Sequence, residues 1–176
     1  MRCFQQAGDF DRLLDAVELD KGNSIGRESK ETVIRYFGAC PPEIRNNHLL
    51  AVVVYVRELL MFGEMELFAI QCTELEREIA GVSDSKRRNR LAGELELVYM
   101  LAKYNDIAAM AGHIRRAAEL LPVESLLCDH NTPWTMGSPS VLYMFYRETG
   151  GLRQEVREIL AAMPLYYRVT ANHGSG

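Results

Sequence analysis

The sequence predicts an all-α chain built from antiparallel helix hairpins stacked as a TPR-like solenoid. Three observations carry that expectation. Ala7-Gly8-Asp9-Phe10, Phe62-Gly63-Glu64-Met65, Tyr104-Asn105-Asp106-Ile107 and Thr149-Gly150-Gly151-Leu152 each end one apolar-periodic stretch and open another. The last three of these pivots are about 40–45 residues apart, within the period range of two-helix repeat units. No stretch shows the strict alternation of a half-buried strand. A single hairpin cannot bury its own apolar face, so hairpins of this kind stack.

Each element has a local reason. Asp9 is a plausible N-cap, and Phe10, Leu13, Leu14, Val17 and Leu19 follow at near-helical spacing until Gly22-Asn23-Ser24. Ser29 opens a short helix with Thr32, Val33, Tyr36 and Phe37 on its buried face. Gly38 and Pro41-Pro42 close it, because a proline cannot continue the hydrogen-bond ladder. The stretch from Leu49 to Phe62 begins with eight apolar residues, Leu49 to Val56, and is expected to be covered on several sides. Its partner runs from Gly63 to about Ile79, with Leu67, Ile70, Leu75 and Ile79 inward.

After the Gly81 and Ser83-Asp84-Ser85 loop, a third pair spans Lys86–Tyr104 and Ile107–Leu121. Leu91, Leu95, Val98 and Ala102 form the stripe of its first member. Ala108, Ala111, Ala117 and Ala118 let the second pack closely. Periodicity lapses from Pro122 to Pro139, a length that in compact domains often carries function. A fourth pair, Ser140–Glu148 and Leu152 to about Tyr167, completes the chain.

Composition bounds the function. The 176 residues suffice for one domain, expected to span 1–176. A hydrophobic content of 48% and a charged content of 25% belong to an ordinary globular protein. A formal charge of −4 argues against direct nucleic-acid contact by this segment. The longest apolar run is too short for a membrane helix, and the N-terminus has no signal-peptide stretch, so the expected location is the cytoplasm. Cys3, Cys40, Cys72 and Cys128 form no CxxC pair and are expected to be reduced.

Several strings resemble the central region of large bacterial LuxR-type transcriptional regulators of the maltose-activator-like kind. They are Tyr104-Asn105-Asp106-Ile107 with Met110, His113 to Leu121, Gly137 to Glu148, and Met163 to Arg168 with His173-Gly174-Ser175-Gly176. The resemblance implies the helical-repeat sensor region of such a regulator. An ATPase module would precede it and a helix-turn-helix module would follow. Two departures limit what carries over. No GxxxxGK[ST] phosphate loop occurs, and neither does a helix-turn-helix, so neither ATP nor DNA binding is implied for this segment. The HGSG end falls mid-repeat in the family pattern, as expected of either a piece of a longer chain or a truncated gene product. An uncapped repeat edge of that kind invites homodimerisation.

The site residues follow from the repeat geometry. In a two-helix solenoid the first helix of each pair commonly lines the concave face, and aromatics with Arg are enriched at binding surfaces. That points to Arg57, Tyr99 and Arg147 as ligand- or partner-binding residues. Packing between neighbouring units is the other account of the same residues. Lys86-Arg87-Arg88-Asn89-Arg90 either contacts phosphate or an acidic partner, or is simply a solvated helix start. Cys128-Asp129-His130, with Trp134 nearby, lacks the further spacing of a zinc site and the third group of a catalytic pair. Gly137-Ser138-Pro139-Ser140 reads as a helix start.

No catalytic residue, metal or cofactor is expected. The expected function is a sensor segment in signal transduction, occupied by a protein partner or a small-molecule inducer. The alternative is a free-standing helical-repeat adaptor mediating protein–protein interaction. Flanking ATPase and helix-turn-helix coding sequence would favour the regulator.

Overall fold

The computed structural model describes residues 8–104, 106–128 and 150–173. Within them the helices are α1 (Phe10–Leu19), α2 (Lys30–Ala39), α3 (Pro42–Asn47), α4 (Leu49–Met61), α5 (Met65–Ala80), α6 (Ser85–Ala102), α7 (Ile107–Leu120) and α8 (Leu152–Val169), with a 3₁₀ turn at Ile25–Arg27. No strand occurs among the described residues, so the all-helical expectation holds there. None of their helices is long and apolar enough to cross a membrane. The chain divides into two compact units, Met1–Leu91 and Ala92–Gly176, the division falling within α6.

Three of the four pivots read from sequence turn at a glycine, while Asn105 of the remaining one lies outside the described residues. Gly8, Gly63 and Gly150 take positive φ values of 68°, 75° and 91°, which glycine adopts without a Cβ penalty. At Gly63 the chain closes with Gly63 N–H donating to the Leu60 carbonyl at 3.1 Å and Glu64 N–H to the Leu59 carbonyl at 3.0 Å. The caps are equally local. Asp9, Ser29 and Asp106 accept from the backbone N–H groups of Arg12, Thr32 and Ala109. Asp84 accepts from Lys86 N–H at 2.9 Å at the start of α6.

In the first unit α4 is the centre. It packs against α1, α2, α3 and α5, and its buried residues run unbroken from Ala51 to Val56. A helix covered by four others cannot afford a polar face, which is why its sequence is apolar nearly all round. Leu13, Leu14 and Val17 of α1 and Val33, Tyr36 and Phe37 of α2 supply the surrounding core. The Phe37 ring stacks flat on Tyr55, with centroids 4.1 Å apart and planes within 4°.

Two expectations are corrected here. Pro41-Pro42 does not only close the preceding helix: Pro42 opens the short α3, because a proline at the first helical position lacks only an N–H that would have no partner anyway. Ile70 is not inward but 55% exposed. The buried stripe of α5 is Phe68, Cys72, Leu75 and Ile79, and a residue two positions after Phe68 falls on the opposite side of the helix.

The second unit has a clear order. Along α6 and α7, Met100 clusters with Ile107 and Met110, Glu96 meets His113, and Leu97 meets Ala117 and Leu121. Numbers fall on one helix as they rise on the other, so the two are antiparallel. On α7 and α8 they rise together: Met110, Ala111 and Ile114 cluster with Ala162 and Tyr166, and Ala117 and Leu121 with Val169. The α7 and α8 axes therefore run parallel. Of the expected alanines, Ala111 and Ala117 are buried and Ala118 is partly so, whereas Ala108 is exposed.

Pro164 lies inside α8 and leaves the Leu160 carbonyl without its usual helical donor. Glu94 is 1% exposed. Its carboxylate accepts from Ser125 Oγ at 2.5 Å and Leu126 N–H at 2.6 Å, which ties down the chain leaving α7. A buried carboxylate is tolerated only when hydrogen-bonded in this way.

Candidate functional site

Tyr99 lies in the α6–α7 hairpin of the second unit. Glu96 and Tyr99 are three residues apart on α6, and His113 and Arg116 three apart on α7, so each pair shares a helix face. The antiparallel packing brings the two faces together. Glu96 Oε2 is 2.7 Å from His113 Nδ1 and 3.0 Å from Arg116 Nε. Arg116 Nη2 is 2.6 Å from the same His113 Nδ1. The Tyr99 ring is tilted on the His113 ring at 5.7 Å.

Two of these contacts compete. A ring nitrogen either donates through its N–H or accepts through its lone pair. A neutral His113 protonated on Nε2 accepts at Nδ1 from Arg116, and Arg116 Nε then holds Glu96. The tautomer protonated on Nδ1 donates to Glu96, and the guanidinium Nη2 must turn away. The Arg116 side chain is 51% exposed, whereas those of His113 and Glu96 are 13% and 18%. The patch thus offers one accessible guanidinium beside an aromatic pair, backed by an inner carboxylate that holds it in place. Its chemistry suits a planar or anionic group able to draw Arg116 from Glu96.

Arg57 sits elsewhere. Its Nη2 donates to the Lys21 carbonyl at 2.9 Å and to Glu58 Oε1 at 3.0 Å, and its Nε also donates to Glu58 Oε1 at 3.1 Å. It clamps the left-handed turn at Lys21 and Gly22, whose φ values are 57° and 81°. Its side chain is 15% exposed and that of Glu58 10%. Tyr99 and Arg57 belong to different units. Arg147 lies outside the described residues, as do Asp129, His130, Trp134 and the Gly137-Ser138-Pro139-Ser140 start.

The basic run is partly occupied with carbonyls. Arg88 Nη1 donates to the Val82 carbonyl at 3.0 Å, and Arg87 Nη2 to the Asn47 carbonyl at 2.8 Å, near the ends of α5 and α3. Cations suit helix C-termini, so this offsets the unfavourable placement of the run at the start of α6.

Three arrangements carried no sequence signal strong enough to find. His48 meets a stripe on α1: Asp11 at 3.1 Å, Asp15 at 3.5 Å and Glu18 at 3.8 Å. The i, i+4, i+7 spacing of those acids is visible in sequence, but nothing there says that His48 lies across from it. Burial pushes the Glu18 carboxyl above its ordinary value, against the lowering by the Ala51 N–H and His48. Arg45 forms the second arrangement. Burial pushes the Cys40, Tyr55 and Glu78 groups above their ordinary values, and the Arg45 charge draws each part of the way back. In the third, the Cys128 thiol is within hydrogen-bond reach of the Tyr166 hydroxyl, which is 2.5 Å from His173 Nδ1. Burial, with Cys128 adding, raises Tyr166 far above the usual phenol range.

Among the described residues no group of three or more His, Cys, Asp and Glu is arranged to hold a metal ion. No family model matches this chain, no curated protein matches it, and no solved structure does.

Proposed function

We propose that the chain is a TPR-like stack of helix hairpins serving as the sensor and interaction segment of a LuxR-type transcriptional regulator. A small-molecule inducer or a protein partner would occupy it in the cytoplasm. DNA contact would belong to a separate helix-turn-helix module. The observation that carries this reading is the helix order of the second unit. The second helix of one hairpin, α7, lies parallel to α8 and packs on it through Ala111, Ala117 and Ala162, with Arg168 reaching the Ala118 carbonyl at 3.0 Å. Successive hairpins layered side by side need this parallel relation between second helices. Occupancy would act by differential affinity for the inactive and active arrangements of an intact regulator.

The binding surface in this reading is the Tyr99 patch with Arg116 and His113. A thermal-shift screen of small metabolites against the full chain tests it. A ligand at about 100 times its dissociation constant adds about 2.7 kcal/mol of stability. Tyr99→Ala and Arg116→Ala should each remove the shift. A ligand whose shift survives both substitutions refutes the patch as its site. For the regulator assignment, the test is the gene itself: coding sequence for an ATPase module upstream and a helix-turn-helix downstream is expected, and the absence of both refutes it.

A further inference from the structure

Three side chains of the second unit, from three stretches of sequence, meet at the end of α8. Cys128 closes the turn that follows α7. Its backbone N–H and that of Leu127 both donate to Ser125 Oγ at 3.0 Å, and Ser125 N–H donates to the Val169 carbonyl at 2.7 Å. That sets Cys128 beside the C-terminal end of α8. Tyr166 is on α8 and 5% exposed. His173 is 7% exposed and follows a reversal in which Ala171 and Asn172 take φ values of 46° and 63°. That left-handed pair turns the chain back and brings the imidazole edge-on to the Tyr166 ring, with centroids 6.0 Å apart.

The hydroxyl of Tyr166 is within hydrogen-bond reach of the Cys128 thiol and 2.5 Å from His173 Nδ1, and it can serve both in two ways. With the thiol protonated, S–H donates to the phenol oxygen and the phenol O–H donates to His173 Nδ1. With the thiol ionised, the phenol O–H donates to sulfur and a protonated Nδ1 donates to the phenol oxygen. Passing between these states moves one proton from Cys128 Sγ to His173 and never ionises the phenol. Burial of Tyr166 disfavours the phenolate and so keeps the relay in those two states. The other described thiols, Cys40 and Cys72, are 5% and 4% exposed, whereas Cys128 is only half-buried.

We propose that Cys128 is a thiol modification site for hydroperoxides, activated by proton relay through Tyr166 to His173. In the step, the ionised sulfur attacks one peroxide oxygen, forming an S–O bond as the O–O bond breaks. Sulfur is oxidised by two electrons and the peroxide is reduced. The departing oxygen takes up the proton held on His173, so that hydrogen peroxide yields a sulfenic acid and water.

The test treats the full chain with hydrogen peroxide, traps sulfenic acid with dimedone, and reads each cysteine by peptide mass spectrometry. Cys128 should be labelled at least about 10-fold faster than Cys40 or Cys72. Tyr166→Phe removes the relay hydroxyl and should slow Cys128 by about 10-fold or more. His173→Gln keeps an acceptor for the phenol but takes up no proton, and it should slow the reaction equally. That second variant separates relay from packing if Tyr166→Phe fails to fold. Wild-type rates in both variants, or faster labelling of Cys40 or Cys72, overturn the proposal. So does loss of reactivity in His130→Ala alone, which would assign the base to the residue two positions after Cys128.

Discussion

Gly22 offers the sharpest test of the packing in the first unit. A Cβ there would fall 2.3 Å from Val54 Cγ1 and 2.8 Å from Arg57 Nη2, and the residue's φ is +81°. Gly22→Ala therefore meets two penalties. The left-handed conformation costs an L-residue about 1–2 kcal/mol. Overpacking against a well-filled core adds about 1–3 kcal/mol. Arg57 cannot simply swing aside, because it holds the Lys21 carbonyl and Glu58. The sum is about 2–5 kcal/mol before the stiffer unfolded chain returns about 0.4–1 kcal/mol. Gly63→Ala is the control: its φ is +75°, yet nothing lies within 4 Å of the added carbon. It carries the strain alone, partly offset by about 0.4–1 kcal/mol from a stiffer unfolded chain.

Amide hydrogen exchange of α1 and α4 reads the stability of this unit directly. Exchange in Gly22→Ala should be faster by about two orders of magnitude, since about 1.4 kcal/mol is a factor of ten. Val54→Ala in the same chain removes the clashing methyl, and the two changes should couple by at least about 1 kcal/mol. Equal exchange in the Gly22 and Gly63 variants, or strict additivity with Val54→Ala, would refute the close approach.

Arg57→Ala leaves the Glu58 carboxylate buried without its partner and should destabilise the first unit by about 3 kcal/mol in urea unfolding; an effect below about 0.5 kcal/mol would mean the clamp is dispensable. Gly93→Ala sets a helix-propensity gain of about 1 kcal/mol against a Cβ 2.6 Å from Leu121 Cγ. The clash should win, by about 1–2 kcal/mol, and a stabilised variant would show that Leu121 yields freely. Glu18 tests the pH dependence. Its folded pKa is raised, so its stability contribution is full below the unfolded value and is lost as pH rises through the folded one. Glu18→Gln keeps an acceptor for Ala51 N–H and stays neutral, so its melting temperature relative to wild type should climb as pH rises from the ordinary carboxylate value through the raised folded one. A flat or falling difference would show that the Ala51 N–H, His48 and Arg87 together outweigh burial.

What could be read in the residue string was whatever hydrogen bonds and periodicity settle within a few residues. The glycine pivots at 8, 63 and 150, the caps at Asp9, Ser29 and Asp106, and the all-round burial of α4 are of that kind. Each depends on a neighbour no more than four or five positions away, or on a face that repeats every 3.6 residues. Ile70 failed because two interleaved apolar stripes on one short helix differ only in which neighbour they meet. Arg57 holding Lys21 across 36 residues, His48 set against the α1 acids, and Tyr166 joining Cys128 to His173 depend on where separate helices cross. A crossing is set by the volumes and directions of side chains from both partners, and a linear pattern does not encode it. The chain order declares which stretches are helices and where they turn. Which charges and thiols end up facing one another is a property of the packed core.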